Sequence, residues 1–593
     1  MTVGIAPPPV ARSATAPVAA VAPGRLRGAL ARPIVMCVAL LAVYGGLSLL
    51  NDPHAFLGTD TGGKVATLRA MDLRGDLDVD LGYWAAPLDP RGVAHPIALN
   101  THVGDRWVNV TTLPMVYAAV PLYELGGLRG ILLLPMLGGV LTALAARALA
   151  QRLGGDGALA FWLVGLATPV LVYALDFWEH TIGLATMLWA IVLMMDVARS
   201  GAERRPSRAN VNAAADRPAR VARPAWARAA AGAALFGVAA TMRTEALVYA
   251  VVTFAVVGVL LVRARRPDVL RVAAASAVGL VVPLLANHFL ETLVLGGGLR
   301  AGRASSAATG GGGSMLVRLE DALTTSVGVN HYRPLAVDWI VGAVVALCVG
   351  LATARFLDRD PRRRSLGYVL LGVAALVLAV RLSGGLGFLP GLFVASPLAA
   401  AGVAVVARDR RGVPVAAIAL GALPLVWLFQ YSGGAFPQWG GRYVLLSGVL
   451  LVVIAAAGLA RVPRPAAVGL VAFALVVTAT GVAWTSLRTH GFADSLTAVL
   501  ARGEPVVAVE LPHFLREGGA FYGPEARWLT AETDSELPVT VAILDESGAQ
   551  RFTLVSRTRE GAPPRLGPFA RGRSAPVPLV SSVVLRVTRY HRV

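Results

Sequence analysis

The sequence predicts a polytopic α-helical membrane protein with a small α/β domain at its C-terminal end. Three observations carry that prediction. Of 593 residues, 56% are hydrophobic and only 15% charged, against about a quarter charged in soluble globular chains, and the mean hydropathy is +0.64. The apolar residues fall in runs of about 20, the length that crosses a bilayer. The arginines collect in short clusters between those runs, at every second connection, which is the positive-inside pattern. A net charge of +19 would suggest nucleic acid in a soluble protein; distributed in this way it does not, and nucleic acid is set aside as a partner. The amount of apolar side chain excludes disorder as the main state. Cys37 and Cys348 are the only cysteines and lie within apolar runs, so neither a disulfide framework nor a zinc cluster is available.

Residues 1–32 form a Pro/Ala-rich tail ending in Arg25, Arg27 and Arg32, expected in the cytoplasm. The first span runs from Pro33 to Leu50. Asn51-Asp52-Pro53-His54 follows it in place of a small-x-small cleavage site, so the span reads as an uncleaved helix. After a long outer loop, 51–130, further spans are expected near 131–150, 157–175, 181–198, 229–242, 246–262, 272–290, 340–356, 366–382, 388–407, 414–430, 443–460 and 466–484, about thirteen in all. The basic clusters (Arg147 with Arg152, eight arginines from Arg199 to Arg228, Arg263 to Arg271, Arg355 to Arg364, Arg408 to Arg411, Arg461 with Arg464) then share the cytoplasmic side. A single helix over 229–262 would be about 50 Å long, too long for one span, and would send every later cluster outside. A break near Met242-Arg243-Thr244-Glu245 keeps the alternation. The membrane region is thus 33–484, and 485–593 is an extracytoplasmic domain with strand-like runs at Val506 to Val509, Val539 to Ile543, Phe552 to Val555 and Val583 to Val587. No internal repeat is visible.

Ionisable residues near a membrane are costly and mark functional sites. Four groups, far apart in sequence, fall at outer span ends: Asp60, Lys64 and Arg69; Asp176, Glu179 and His180; Arg243 and Glu245; Arg442 and Tyr443. Lys64 is the only lysine among 54 basic residues, a bias that a GC-rich genome explains. Plainer readings stand beside the functional one. Asp60 would serve as a helix N-cap, Lys64 and Arg69 as interfacial anchors, Trp178 as part of an aromatic belt, Arg243 and Glu245 as a helix-break ion pair. The Gly310–Gly313 run reads as a loop, since no Gly-Lys-Ser/Thr follows it. A conduction path would place such groups at mid-membrane; a reaction centre at the outer surface suits their one-sided placement.

The arrangement resembles the integral-membrane glycosyltransferases of the C-type fold (GT-C), which use polyprenyl-phosphate-linked sugars and include protein O-mannosyltransferases and lipid A aminoarabinose transferases. The likeness covers the span number, the long first outer loop and the C-terminal outer domain. An acidic residue just after the first span marks that family, and Asp60, followed by helical 62–74, matches in position. The frequent acidic pair is absent, because Thr61 follows Asp60. Asn287-His288-Phe289, Gly391 to Pro397 and Gln438-Trp439-Gly440-Gly441-Arg442-Tyr443 look like segments common in bacterial members.

The resemblance implies sugar transfer from a polyprenyl-phosphate donor to an envelope glycan, lipid or protein at the outer face of a bacterial plasma membrane. Asp60 is then the expected base, alternatively orienting the acceptor or holding a divalent cation. Lys64, Arg243 and Arg442 are candidates for the phosphate. Glu179 and His180 are candidates for sugar hydroxyls, and Arg69, Asp176, Glu245 and Tyr443 for further substrate contacts. Lys64, four residues after Asp60, shares its helix face and is expected beside it, while Gly58, Gly62 and Gly63 are expected to let a ligand approach closely. Two other functions stay open: a transporter or flippase of lipid-linked saccharide, and a non-catalytic scaffold for envelope assembly.

Overall fold

The computed structural model describes residues 32–97, 100–109, 113–199, 224–295, 314–330, 336–385, 387–429, 438–511, 514–531, 533, 536–557, 562–580 and 583–593. The N-terminal tail, the arginine-rich stretch 200–223 and Gly310–Gly313 lie outside the described residues.

Nine helices among the described residues are long and apolar enough to cross a membrane, from Leu133–Arg152 to Arg464–Leu500, and the molecule is a multi-pass membrane protein. Four predicted spans hold shorter apolar helices, Pro33–Ser48, Gly157–Leu166, Pro397–Val406 and Leu445–Arg461. Prolines explain two of these. One helix ends at Leu166 and Thr168 caps the next at Pro169, and predicted span 388–407 opens as strand β4 (Phe388–Pro390, paired with β3, Gly328–Asn330) and a short helix, Leu392–Ala395, before its longer helix starts at Pro397. The break expected near Met242 is present: Ala225–Met242 ends and Glu245–Arg263 begins, with Arg243 extended between them. Small residues bring the helices backbone to backbone. A Cβ at Gly279 would lie 2.3 Å from the Ala230 carbonyl, and one at Gly402 would lie 2.1 Å from that of Leu451.

The last helix, Arg464–Leu500, has 37 residues, about 55 Å. It does not stop at 484; its final turns leave the bundle and carry the C-terminal domain. That domain is a six-stranded sheet in the order β6-β5-β7-β10-β9-β8, where β5 is Val506–Val509, β6 Arg527–Thr530, β7 Arg551–Ser556, β8 Arg565–Leu566, β9 Phe569–Pro578 and β10 Val584–Arg592. Strand β5 is parallel to both β6 and β7, while β10 runs antiparallel to β7 and β9. Val539 to Ile543, expected as a strand, belongs instead to the helix Glu536–Glu546. It joins β6 to β7, two strands lying parallel on either side of β5, and parallel strands need a crossover, usually helical. Topology overrides the β-branched run there.

The loop after the first span forms the helix Thr59–Arg74, a hairpin of β1 (Asn100–Val103) with β2 (Arg106–Asn109), and the helix Leu113–Gly130. Helix Thr59–Arg74 stops at Gly75, which takes the left-handed conformation (φ 72°) and donates its N–H to the Met71 carbonyl. Its apolar residues Val65, Leu68 and Met71 are buried in the same hydrophobic cluster as Met36, Leu40 and Tyr44 of the first span, and the helix packs on Leu113–Gly130.

Candidate functional site

Helix Thr59–Arg74 holds the site because both of its sides are gripped. Opposite the bundle, Gly62 meets the short helix Phe514–Glu517 of the C-terminal domain so closely that a Cβ would lie 1.5 Å from the Arg516 carbonyl oxygen. Gly58 faces the Trp178 ring, and Gly63 faces the Asn109 side chain. The expectation that these glycines make room for a ligand is corrected: they make room for neighbouring protein.

Asp60 is in the first turn of the helix, where the dipole favours a carboxylate, but Gly58 is the N-cap, so the capping role is not found. Its carboxylate accepts from Arg516 Nη2 at 3.0 Å, and Arg442 Nη1 stands 3.7 Å from its other oxygen. Burial alone would raise its pKa, but Arg516, Arg442, Lys64 and Arg243 outweigh burial and hold the carboxyl at about 2. Lys64 does not pair directly with Asp60. Fully buried, its ammonium donates to Glu179. Glu179 also accepts from Arg243 Nη1 at 3.2 Å, and Arg243 Nε donates to Glu245 at 2.8 Å. The helix-break ion pair is therefore real, and it is one link of a longer chain. Arg243 and Arg442 both lie over the Tyr443 ring, at 5.1 and 4.6 Å.

Arg442 reaches this point because the turn before it is unusual. Gly440 (φ 91°) and Gly441 (φ 67°) are left-handed, and the Gly440 N–H donates to the Pro390 carbonyl. Trp439, buried against Trp484, fixes the turn to the last helix. Trp178 is fully buried, so it is not a belt residue. It meets His180 edge-on at 4.4 Å, and His180 stacks on Tyr173 at 4.7 Å. Among the described residues, neither ring nitrogen of His180 has a hydrogen-bond partner, nor do the Tyr173 hydroxyl, the Trp178 indole N–H and Arg243 Nη2. Such a gathering of unsatisfied buried polar atoms is rare in a purely structural core.

Asp176 accepts from the Leu57 N–H at 3.1 Å and from the Thr61 hydroxyl at 3.0 Å. Where an acidic pair would put a carboxylate after Asp60, this chain has Thr61, and a carboxylate arrives there from another loop. Burial raises the Asp176 carboxyl to about 6 despite these hydrogen bonds. A carboxyl raised in the folded state binds a proton that the unfolded chain has released, so its contribution to stability falls as pH rises from about 4 through 6. Asp176→Asn is expected to remove that decline, read as a smaller difference in melting temperature between pH 4.5 and 7 than in wild type.

Arg69 lies apart from the others. Nine residues after Asp60 puts it on the opposite side of the helix, where it pairs with Glu525 of the C-terminal domain. Sequence reasoning missed Arg516 altogether, although it is the arginine nearest Asp60. The first-loop helix and this arginine are 456 positions apart, and the run Phe514–Glu517 carries no pattern of its own. A divalent cation does not fit at Asp60. Guanidinium groups occupy its acceptor side, and no group of three or more His, Cys, Asp or Glu side chains suited to a metal occurs among the described residues.

Fold and site define a multi-pass membrane protein with a charged, aromatic-walled cluster enclosed between its helical bundle and its α/β domain. Among solved structures, the chain is similar to ArnT from Cupriavidus metallidurans bound to undecaprenyl phosphate, at 16% identity and a TM-score of 0.44, covering 94% of this chain and 97% of that one. It is also similar to the Archaeoglobus fulgidus oligosaccharyltransferase in complex with zinc and sulfate, at 11% identity and a TM-score of 0.41, over 87% of this chain and 67% of the other. No family model and no curated protein matches the sequence.

Proposed function

We propose that the protein transfers a sugar from a polyprenyl-phosphate-linked donor to an envelope acceptor at the outer face of the bacterial plasma membrane. Its N-terminus then lies in the cytoplasm, and residues 485–593 form a domain outside. One observation carries the reading. Of the carboxylates in the charged chain, Asp60 is the accessible one, 27% exposed against 5% for Glu179 and Glu245, and it is flanked by two arginines. A substrate reaching the cluster meets a base with Arg442 beside it, while Arg516, buried behind them, adds its charge.

In the reaction the acceptor oxygen or nitrogen bonds to the anomeric carbon, and the bond from that carbon to the phosphate oxygen breaks with its electron pair. Asp60 takes the acceptor's proton. Arg442 and Arg516 receive the charge that builds on the leaving phosphate, already oriented and with little water to displace. Lys64, Glu179, Arg243 and Glu245 hold those groups in place from behind, and His180, Tyr173 and Trp178 offer donors and acceptors to sugar hydroxyls. Transport of lipid-linked saccharide finds less support, since charged residues of the described spans lie toward helix ends.

Arg442 tests the phosphate role. Arg442→Lys keeps the charge but loses the planar fork, so the dissociation constant for the lipid-linked donor is expected to rise about ten-fold, with expression and folding unchanged. Wild-type donor affinity in Arg442→Ala would leave this arginine only an anchoring role.

A further inference from the structure

The C-terminal half of helix Thr59–Arg74 borders a cleft of about 400 Å³, closed by Leu81 to Trp84 of the first loop and by Tyr522 to Trp528 of the outer domain. Its size is that of a small-ligand site, and it is separate from the charged cluster. Ala70, on its wall, is ten residues from Asp60, about 15 Å along the helix and within about 80° of the same face.

The polar groups around this cleft are nearly all engaged elsewhere. Arg74 donates to the carbonyls of Asp78 and Asp80 at 2.5 and 2.7 Å. The Tyr83 hydroxyl donates to Asp89, the Tyr522 hydroxyl to the Gly82 carbonyl, and the Trp84 indole to the Trp528 carbonyl. With their polar ends tied back, the partly exposed Trp84 and Tyr522 offer ring faces, while Tyr83 is buried against His95 and Trp107. One donor remains. Arg527 is exposed, its guanidinium lying 5.3 Å over the Trp84 ring, with no carboxylate paired to it among the described residues.

From this geometry we infer that the cleft binds an acidic saccharide, a sugar chain carrying carboxylate or phosphate groups, as the distal part of the acceptor. Pyranose rings present apolar C–H faces that stack on aromatic side chains, and Arg527 supplies the fork for the anion. A donor lipid arrives from the bilayer; this cleft opens between two extramembrane elements, on the side from which an aqueous acceptor comes. The acceptor role rests on the transferase reading, but binding in the cleft does not.

The test uses the full-length protein in detergent, with oligogalacturonate as acidic probe, a malto-oligosaccharide as neutral probe and anionic phospholipid vesicles. Binding is read by titration calorimetry and tryptophan fluorescence. Oligogalacturonate is expected to bind wild type and Asp60→Asn equally. Arg527→Gln, at an exposed position, is expected to weaken it about ten-fold or more. Trp84→Phe, which keeps an aromatic ring, is expected to weaken it less than Trp84→Ala. Equal binding of the neutral probe with no effect of Arg527→Gln would overturn the proposal, as would Arg527-dependent binding of vesicles without binding of the oligosaccharide. Cleft binding by a wild-type protein that transfers no sugar from a lipid-linked donor would separate the two readings: the saccharide site would stand and the transferase reading would fail.

Discussion

Purified Asp60→Asn protein is expected to transfer sugar about 10²–10⁴-fold more slowly than wild type, the usual worth of general-base assistance, while it still inserts and folds. Asparagine keeps the shape but takes no proton. The free protein holds Asp60 at about 2, since Arg516, Arg442, Lys64 and Arg243 surround it. Such a carboxylate is fully ionised at neutral pH, yet a weak base. In the proposed mechanism a bound donor would change that: its phosphate would engage Arg442 and offset the arginine charge, so Asp60 would become more basic when the proton must move. Two consequences follow. The pH dependence of kcat/KM, which reports the free enzyme, is expected to show no limb from Asp60 near the ordinary carboxylate value of about 4. Stability contributed by Asp60 is present above about 4 and falls as pH drops toward 2, because the depressed carboxyl releases its proton more readily when folded. Near-normal turnover of Asp60→Asn with its lipid-linked donor would remove this residue from the mechanism.

Gly62→Ala is expected to be the most disruptive small substitution in the site. The new methyl would lie 1.5 Å from the Arg516 carbonyl oxygen, and backbone on both sides leaves no flexible group to yield. The cost is expected at about 3 kcal/mol, the upper end for overpacking, with Arg516 withdrawn from Asp60 and transfer lost. Gly63→Ala is the control. Its methyl would meet the Asn109 side chain at 2.5 Å, a side chain that can swing aside, so the effect should be smaller. Thermal unfolding and a transfer assay on both proteins check this. Gly62→Ala with wild-type stability and activity would mean that the outer domain does not press on this helix as described.

What the sequence determined by itself was whatever depends on local composition and on the membrane. Bilayer thickness dictates the length of an apolar run, so the multi-pass helical architecture and the break at Arg243 could be read from the sequence, though not where every helix starts and stops. The same reasoning placed Asp60, Lys64, Glu179, Arg243 and Arg442 at one end of the bundle. Only the tertiary structure decided who pairs with whom. Helix periodicity put Lys64 on the face of Asp60, but a buried ammonium takes the best available carboxylate, and Glu179 from another connection is that group. Val539 to Ile543 has strand composition and is a helix, because the parallel pairing of β5 with β6 and β7 needs a crossover there. Arg516 was invisible for the same reason. Its place beside Asp60 depends on a helix of 37 residues carrying the C-terminal domain back over the first loop, and on the missing side chain at Gly62 that lets the two backbones touch.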